Sequence, residues 1–535
     1  MRSDQNDRRK FLQATGAGLA GGALFGPPKQ ALAQTPESNA NAFFLVTVFG
    51  AKGDGKTIDT SAVNAAIETA SRAGGGTVVF PAGNYLCYSI HLKSHVTLWL
   101  DTGATIVAAD SPEGGSVGYD LPESNAPWEA YQDFGHNHWH NSLIWGEGLE
   151  NVAIVGRGLI WGKGLSRGWS KEKPLAETPG VGNKAIALKN CRNVLLRDFS
   201  ILHGGHFGIL ATGVDNFTID NLTIDTNRDA MDIDCCRNVR VSNCAVNSPW
   251  DDGICLKSSF ALGYARTTED VMITNCLVYG NFQEGTLLDA TYKPFPAEER
   301  VYRTGRIKFG TESNGGYKNI TISNCVFDGC HGLAIESVDG AVIEDVCVSN
   351  ITMRNLFAAP IFIRLGSRMR GPTGVPVGVI RRVTISGINC QNAAMPRVCS
   401  IISGIPDHPI EDLKLSDITI VHQGRGTAEE AALNLPEKET AYPEPTMFGT
   451  TPAQGFFIRH ARNVEMSGIR IEFTNQDERP TFVLNDVEGV DFRFLKLPRS
   501  SGAANFVLND VREFSVFRSK PVADTELTSV AKQNL

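Results

Sequence analysis

The chain has 535 residues with a formal net charge of −8, and 20% of its residues are charged. This is the composition of a soluble globular protein, and an acidic balance without long runs of one sign argues against a nucleic-acid partner, which would need a basic face. The length allows several ordinary domains or one large solenoid, and the 54 glycines indicate many turns.

Residues 1–33 resemble a twin-arginine export signal. Arg8 and Arg9 precede a weakly apolar run, and the small residues 31–33 provide a cleavage site. The apolar run, at about 12 residues, is shorter than the ~20 that a membrane span requires. The sequence therefore predicts an exported protein, periplasmic or extracellular, without a membrane span, whose single domain covers residues 34–520.

Residues 43–110 predict an N-terminal cap followed by the first coils of a solenoid. A helical pattern covers residues 59–72. Its apolar face consists of Val63, Ala66, Ile67 and Ala70. The segments FGAKGDG at 49–55, GGGTVVFPAG at 74–83 and TLWLDTGATI at 97–106 resemble the cap of the pectin-lyase-like right-handed β-helix proteins. A capping helix is expected because the first coil of a solenoid otherwise exposes its backbone.

Residues 111–145 interrupt the pattern as a long loop insertion. The segment contains His136-Asn137-His138-Trp139-His140. Three interpretations stay open: a loop that packs its aromatic side chains over the solenoid wall, a loop that contacts sugar, or a metal site. The sequence offers no neighbouring carboxylate or cysteine cluster that would complete the metal site.

From residue 150 onward a short repeat dominates the sequence. A polar turn residue precedes an alternating apolar strand, and the copies lie about 20–50 residues apart, which indicates a solenoid. The turn residues are Asn151, Asn193, Asn216, Asn238, Asp270, Asn319, Asp345, Arg382, Asp412 and Asn463. The prediction is an all-β, right-handed parallel β-helix of about 10 coils with a helical cap, followed by a frayed tail at 521–535.

The twelve cysteines do not predict a disulfide framework. Cys244, Cys276 and Cys325 each follow an asparagine at the same place in the repeat, so they should stack coil on coil as small buried side chains. We expect mostly free thiols, with the pairs Cys235/Cys236 and Cys325/Cys330 left open.

The repeat places three carboxylates where they could act together as an acid–base site. Asp251 and Asp252 come one repeat after Asp229, so stacking at about 4.8 Å would bring all three together. Inverting glycoside hydrolysis needs a protonated carboxyl and a carboxylate roughly 6.5–9.5 Å apart, and crowding raises one pKa. We interpret Asp232 and Asp234 as structural.

From Phe49 to about Ile471 the chain resembles glycoside hydrolase family 28, the polygalacturonases. Residues 227–229 match the Asn-Thr-Asp motif of that family, and residues 251–252 match its Asp-Asp motif. The resemblance implies that Asp251 is the general acid and that Asp229 and Asp252 activate water. It further implies a pectic, galacturonic-acid-containing substrate, with no cofactor and no metal.

The sequence departs from the family at the Gly-His-Gly motif. Counting the repeat onward predicts that residues 283–284 lie where residues 251–252 lie one coil earlier, and no histidine stands there. The nearest substitutes are Glu284, Asp289 and Arg306.

A second departure concerns the family's Arg-Ile-Lys motif, which binds a substrate carboxylate. Arg306 and Lys308 spell it, but their flanks fit a register in which residues 334–336 take that place. Either the two cations face the groove and bind an acidic sugar, or they point to solvent or pair with Glu312. His206, one coil before Asp229, is either a substrate contact or a structural residue.

The leading interpretation is a monomeric, exported, inverting hydrolase of pectic polysaccharide or oligosaccharide. One alternative is a lyase, in which the three aspartates bind Ca²⁺ and Arg306 is the base. The other is a non-catalytic, carbohydrate-binding β-helix, since the motif histidine is missing. The sequence leaves endo or exo action open.

Overall fold

The computed structural model describes residues 43–111, 118–133, 135–167, 178–296, 303–391, 398–499 and 503–535. The predicted export signal lies outside these ranges. The helices are α1 (Thr60–Arg72), α2 (Ala428–Ala431) and three 3₁₀ turns at Val46–Phe49, Glu129–Tyr131 and Pro445–Phe448.

Strands make up about half of the described residues. The N-terminal strands are β1 (Phe43–Leu45), β2 (Asp54–Ile58), β3 (Gly76–Phe80), β4 (Gly83–Cys87), β5 (Ile90–His91), β6 (Val96–Leu100), β7 (Ala104–Ala108), β8 (Ile144–Glu147), β9 (Glu150–Val155) and β10 (Leu159–Trp161). The central strands are β11 (Lys184–Lys189), β12 (Arg192–Arg197), β13 (Ser200–Leu202), β14 (Phe207–Thr212), β15 (Asp215–Asp220), β16 (Thr223–Asp225), β17 (Asp229–Asp234), β18 (Arg237–Ser242), β19 (Ala245–Asn247), β20 (Ile254–Ser258), β21 (Thr268–Thr274), β22 (Leu277–Tyr279), β23 (Phe282–Glu284), β24 (Lys293–Pro294), β25 (Ile307–Ser313) and β26 (Tyr317–Asp328). The C-terminal strands are β27 (Leu333–Ser337), β28 (Val342–Arg354), β29 (Ile361–Leu365), β30 (Val379–Gln391), β31 (Ser400–Ser403), β32 (Ile410–His422), β33 (Phe456–Ser467), β34 (Arg470–Phe473), β35 (Phe482–Arg493), β36 (Phe506–Phe517) and β37 (Thr525–Asn534).

The strands stack in parallel columns, which confirms the predicted parallel β-helix. One column runs through β8, β11, β14, β17, β20, β25, β27, β29, β31 and β33 and on through β35 and β36. This column contains more coils than the approximately ten expected from the sequence. Within the column, a strand pairs with the strand one coil earlier and the strand one coil later, so residues one repeat apart become neighbours.

The polar turn residues of the repeat explain why the coils stay in register. Asn151, Asn193, Asn216 and Asn238 all have a positive φ of 53–56°, a left-handed conformation that asparagine tolerates better than most residues. Their side-chain amides form a ladder, in which Asn193, Asn216 and Asn238 each donate to the asparagine one coil earlier over 2.6–2.9 Å. The same residue type therefore makes the turn and binds the next coil.

The core is a continuous stack of alternating inward side chains, and helix α1 closes its N-terminal end. The four apolar residues predicted for the helix face, at positions 63, 66, 67 and 70, are the buried ones. Among the described residues every cysteine is free, including the two pairs left open. Cys244, Cys276 and Cys325 stand one residue before stacked strand positions, as the repeat predicts.

The predicted frayed tail is wrong. Residues 525–534 form β37, which pairs antiparallel with β36 and so covers the last coil. The sequence signal was weak because this strand is exposed on most of its length, whereas its backbone hydrogen bonds cap the otherwise open edge of the solenoid.

Candidate active site

Three aspartates lie together on two consecutive coils, as the repeat predicted. Asp229 begins β17, and Asp251 and Asp252 form the turn that leads into β20. The two strands pair in register from Met231 with Ile254 onward. The backbone N–H of Ala230 donates to the carbonyl of Asp252 over 3.1 Å, so the turn is attached to the coil before it. Stacking, rather than sequence proximity, brings the three side chains together.

The carboxylates are closer than expected. One oxygen of each aspartate lies within 4.8 Å of the others, and the predicted acid–base gap of roughly 6.5–9.5 Å is therefore wrong for their nearest oxygens. Asp251 is 26% exposed, whereas Asp229 and Asp252 are buried. Arg228 holds the exposed member, with its Nη2 2.6 Å from Asp251 Oδ2.

The surroundings separate the three groups by their pKa. Burial and the neighbouring Asp251 raise the pKa of Asp229 well above its usual range. Burial also raises the pKa of Asp251, and the charge of Asp252 adds to the effect. Burial acts in the same direction on Asp252, but the cations Lys308 and Arg306 outweigh it and lower the pKa of this carboxyl. One permanently ionised carboxylate beside two that retain protons more readily is the pattern of an acid–base site.

The coil after Asp252 carries Gly305 and Arg306, so the register that predicted residues 283–284 there is wrong. The N–H of Gly305 donates to the Asp251 carbonyl over 2.7 Å, and the N–H of Gly253 donates to the Arg306 carbonyl over 2.9 Å. The count failed because the chain leaves the wall after β22, forms the β23–β24 hairpin and returns only at β25.

Glu284 therefore lies away from the aspartates. It is exposed on the β23–β24 hairpin, where its Oε2 is 3.6 Å from Lys293 Nζ. Arg306, the third substitute considered, takes the position one coil after the Asp-Asp turn.

Arg306 and Lys308 are both buried and directed at carboxylates. Arg306 Nε lies 2.9 Å from Asp252 Oδ1, and Lys308 Nζ lies 3.1 Å from Asp252 Oδ2. The alternative in which they point to solvent or pair with Glu312 is wrong. Lys308 stacks on Ala334 of the next coil, so the second register, with residues 334–336 following, is the observed one.

Glu444 is a member of this cluster that sequence reasoning missed. Its two oxygens accept from Arg306 Nη2 at 2.7 Å and Arg306 Nη1 at 3.1 Å. It reaches the site from the loop between β32 and β33, 138 residues further along the chain. No repeat relates that loop to the wall, and the sequence therefore carries no signal for this contact.

His206 lies one coil before Asp229, since Phe207 pairs with Asp229. Its ring is buried, and Nδ1 donates to the carbonyl of Arg167 over 2.6 Å. Burial, together with the nearby Arg228, lowers the pKa of His206 well below its usual range. The ring is therefore neutral, and its role in binding substrate remains a prediction.

The described part of the 111–145 insertion packs over the wall, as the first of the three interpretations predicted. Trp139 is buried, and its Nε1 donates to Thr212 Oγ1 over 3.1 Å. His136 is inserted between carboxylates of two coils, with Nδ1 2.7 Å from Glu312 Oε1 and Nε2 3.1 Å from Asp232 Oδ2.

Two carboxylates that the sequence did not predict near the 111–145 loop also lie close to His140. Oxygens of Glu123 and Glu147 come within 4.8 Å of its ring nitrogen and of each other. This arrangement resembles a cation site, but Lys189 already pairs with Glu147 at 2.9 Å. We therefore interpret it as an ion-pair cluster.

The three aspartates fit a calcium ion poorly. Ca²⁺ takes six to eight oxygen ligands, but both oxygens of Asp252 are held by Arg306 and Lys308. Arg228 occupies one oxygen of Asp251 in the same way. The chain itself neutralises these carboxylates, so the donor set required for the lyase alternative is largely engaged.

Comparison with known proteins agrees with this fold. A family model described as "Rhamnogalacturonase A/epimerase, pectate lyase-like" matches residues 43–255, and a "Right handed beta helix region" model matches residues 179–355. A "Probable polygalacturonase" from Vitis vinifera is 24% identical over 428 residues, which are 76% of this chain and 80% of that protein.

Two solved structures share the architecture. An exopolygalacturonase from Thermotoga maritima is 18% identical with a TM-score of 0.57, covering 80% of this chain and 91% of that one. A family 28 exopolygalacturonase from Yersinia enterocolitica has the same identity and TM-score, covering 90% and 79%. In the described part of this chain, no helix has the length and hydrophobicity to cross a membrane. The predicted resemblance is thus confirmed: the chain is a right-handed parallel β-helix protein that is similar in sequence to proteins described as polygalacturonases.

Proposed function

We propose that this protein is an exported hydrolase of galacturonic-acid-containing pectic glycans that acts with inversion. One observation carries the proposal. Asp229, Asp251 and Asp252 bring oxygens within 4.8 Å of one another on consecutive coils of a polygalacturonase-related scaffold. Carboxylates gathered in this way are what hydrolysis of a glycosidic bond requires.

Asp251 is the proposed general acid. It is the most exposed of the three carboxylates, and so the one that a glycosidic oxygen in the groove can approach. Its raised pKa favours the protonated form that an acid needs.

Asp229 and Asp252 are the proposed water-activating pair. The charge of Asp251 disfavours the ionised form of Asp229 and raises its pKa, so the protonation of Asp229 depends on that of Asp251. When the proton is on Asp251, Lys257 and Arg228 favour the ionised form of Asp229. The proposed productive state has one proton on Asp251 and charges on Asp229 and Asp252.

In the reaction, the proton of Asp251 passes to the glycosidic oxygen as the bond from that oxygen to the anomeric carbon breaks. A water molecule adds to the anomeric carbon from the opposite face and gives its proton to Asp229 or Asp252. The products are an alcohol and a hemiacetal of inverted configuration, and exchange with solvent returns the proton to Asp251.

The test uses purified mature protein with polygalacturonan and rhamnogalacturonan. We expect new reducing ends without matching absorbance near 235 nm, and Asp251→Asn should lower the rate by about 10²–10⁴-fold. The control is Asp407→Asn, an exposed turn carboxylate with positive φ that asparagine tolerates. Matching absorbance would indicate a lyase, and no turnover of either polymer would overturn the proposal.

Inversion needs its own measurement, because the short carboxylate separation does not favour it. Proton NMR during the first minutes should show the anomer opposite to that of the bond cleaved. Initial appearance of the same anomer would replace inversion with a two-step mechanism through a covalent intermediate.

Export is tested separately by cell fractionation of the full chain. We expect the protein outside the cytoplasm and its retention inside when Arg8→Lys and Arg9→Lys are combined. Export of that variant would contradict the twin-arginine route.

A further inference from the structure

Glu444 lies directly on Arg306 and Lys308, the two buried cations of the coil that follows the Asp-Asp turn. Both of its oxygens accept from the fork of Arg306, at 2.7 and 3.1 Å, which is the bidentate geometry of a strong charge-assisted pair. Its Oε1 is also 4.0 Å from Lys308 Nζ. A side chain of this protein thus fills a place where a uronate carboxylate would bind.

Both cations also pair with Asp252. Asp252 takes Arg306 Nε and Lys308 Nζ through its two oxygens, at 2.9 and 3.1 Å. Arg306 Nη1 is a further 3.4 Å from His331 Nδ1. Two cations are therefore matched by the carboxylates of Asp252 and Glu444.

Glu336 does not alter this balance of two cations and two carboxylates at neutral pH. Its oxygen lies 3.8 Å from Lys308 Nζ in a fully buried position. Burial raises the pKa of Glu336 to about 8, against the opposing effect of Lys308. A sugar carboxylate placed here would consequently be an additional anion without a cation to pair with.

Glu444 is the most exposed charged side chain of the cluster. Its side chain is 17% exposed, whereas Arg306 and Lys308 beneath it are buried. Tyr442, two residues earlier on the same loop, is 49% exposed, with its ring centroid 5.6 Å from Lys308 Nζ. A sugar in this part of the groove would meet an aromatic ring and the outer lone pairs of a carboxylate, which accept from hydroxyl groups.

We propose that Glu444 is a specificity-determining residue that takes the place of a substrate carboxylate, so that the sugar bound beside Arg306 and Lys308 is neutral. The inference rests on the proposed function and narrows its substrate to a glycan with a neutral sugar next to the bond that is cleaved. A uronate at this subsite would be repelled by Glu444 or would have to displace it from both guanidinium nitrogens.

The test compares wild type, Glu444→Gln and a control, Glu429→Gln, an exposed residue of the same loop. We expect wild type to prefer rhamnogalacturonan over polygalacturonan by at least about tenfold in kcat/KM, since tenfold corresponds to a modest difference in binding. Glu444→Gln should shift that ratio toward polygalacturonan by about tenfold, and Glu429→Gln should not. A wild-type preference for polygalacturonan overturns the inference without any variant.

A binding experiment separates this inference from the proposed function. Digalacturonate is titrated by calorimetry into Asp251→Asn and into the double variant Asp251→Asn/Glu444→Gln, where hydrolysis plays no part. We expect the double variant to bind about tenfold more tightly. Equal or weaker binding overturns the role of Glu444, even where hydrolysis is established, and tighter binding supports it, even where hydrolysis fails.

Discussion

Two loops each place one charged side chain against the wall of the β-helix. The 111–145 loop brings His136 to the carboxylates Asp232 and Glu312, at 3.1 and 2.7 Å. The loop between β32 and β33 brings Glu444 to the guanidinium of Arg306 at 2.7 Å. The two loop side chains carry opposite charges. Each neutralises a charge of the opposite sign on the stacked coils.

The two side chains, His136 and Glu444, differ in how deeply they are buried. His136 is 6% exposed and has buried partners, and Lys257 completes its network at 3.0 Å from Glu312. Glu444 is nearly three times as exposed and lies next to the half-exposed Tyr442. A closed charge network contributes to folding, whereas one that borders a groove also contributes to the choice of ligand. The burial of each side chain, more than the sign of its charge, therefore determines whether it acts in folding or in ligand choice.

The largest effect on stability should come from His136→Ala. It removes one cation from two buried carboxylates and leaves Lys257 as their ion-pair partner among the described residues. The free energy of unfolding should therefore fall by about 3–5 kcal/mol. Urea unfolding followed by circular dichroism measures this.

His140→Ala is the control for that loss, because His140 is partly exposed and its pairs with Glu123 and Glu147 are near the surface. It should change stability by less than about 1 kcal/mol. Equal losses in the two variants would show that His136 is not in a closed network.

Residues that the repeat governs were predictable from the sequence. Stacking makes positions one repeat apart into neighbours, so the grouping of Asp229, Asp251 and Asp252 and the alignment of the turn residues followed from the repeat. The choice of these three aspartates as the catalytic residues came from the family resemblance. The helix face of α1 followed from its periodicity.

Contacts made by the insertions were not predictable. The hairpin at β23–β24 broke the repeat count and misplaced Glu284. The segment containing His136 was conspicuous in the sequence, but nothing related it to Glu312, more than 170 residues away. Glu444 had no local signal at all, since a loop without periodicity carries no register against the wall.

The contribution of His136 to stability should depend on pH. Burial opposes the charged ring, but Glu312 and Asp232 raise the pKa of His136 to about 10. A raised folded-state pKa contributes stability that is complete below the unfolded value near 6.5 and lost as pH rises through about 10. The stability difference between wild type and His136→Ala should therefore shrink by a few kcal/mol over that range. Urea midpoints at pH 6 to 10 measure it, and parallel curves for the two proteins would contradict the charged state of His136.

The smallest loss of stability should come from Glu444→Gln, at about 1–2 kcal/mol. Arg306 keeps its contact with Asp252, and water from the groove can solvate the donors that Glu444 releases. Glu429→Gln, exposed on the same loop, should stay within about 0.5 kcal/mol of wild type. The measurement is the urea midpoint of each variant at neutral pH. If Glu444→Gln lost as much stability as His136→Ala, the Glu444 network would be as closed as that of His136, and its position at the groove could not explain a choice of sugar. A small loss of stability together with a changed substrate ratio is the combination that only a groove-facing carboxylate predicts.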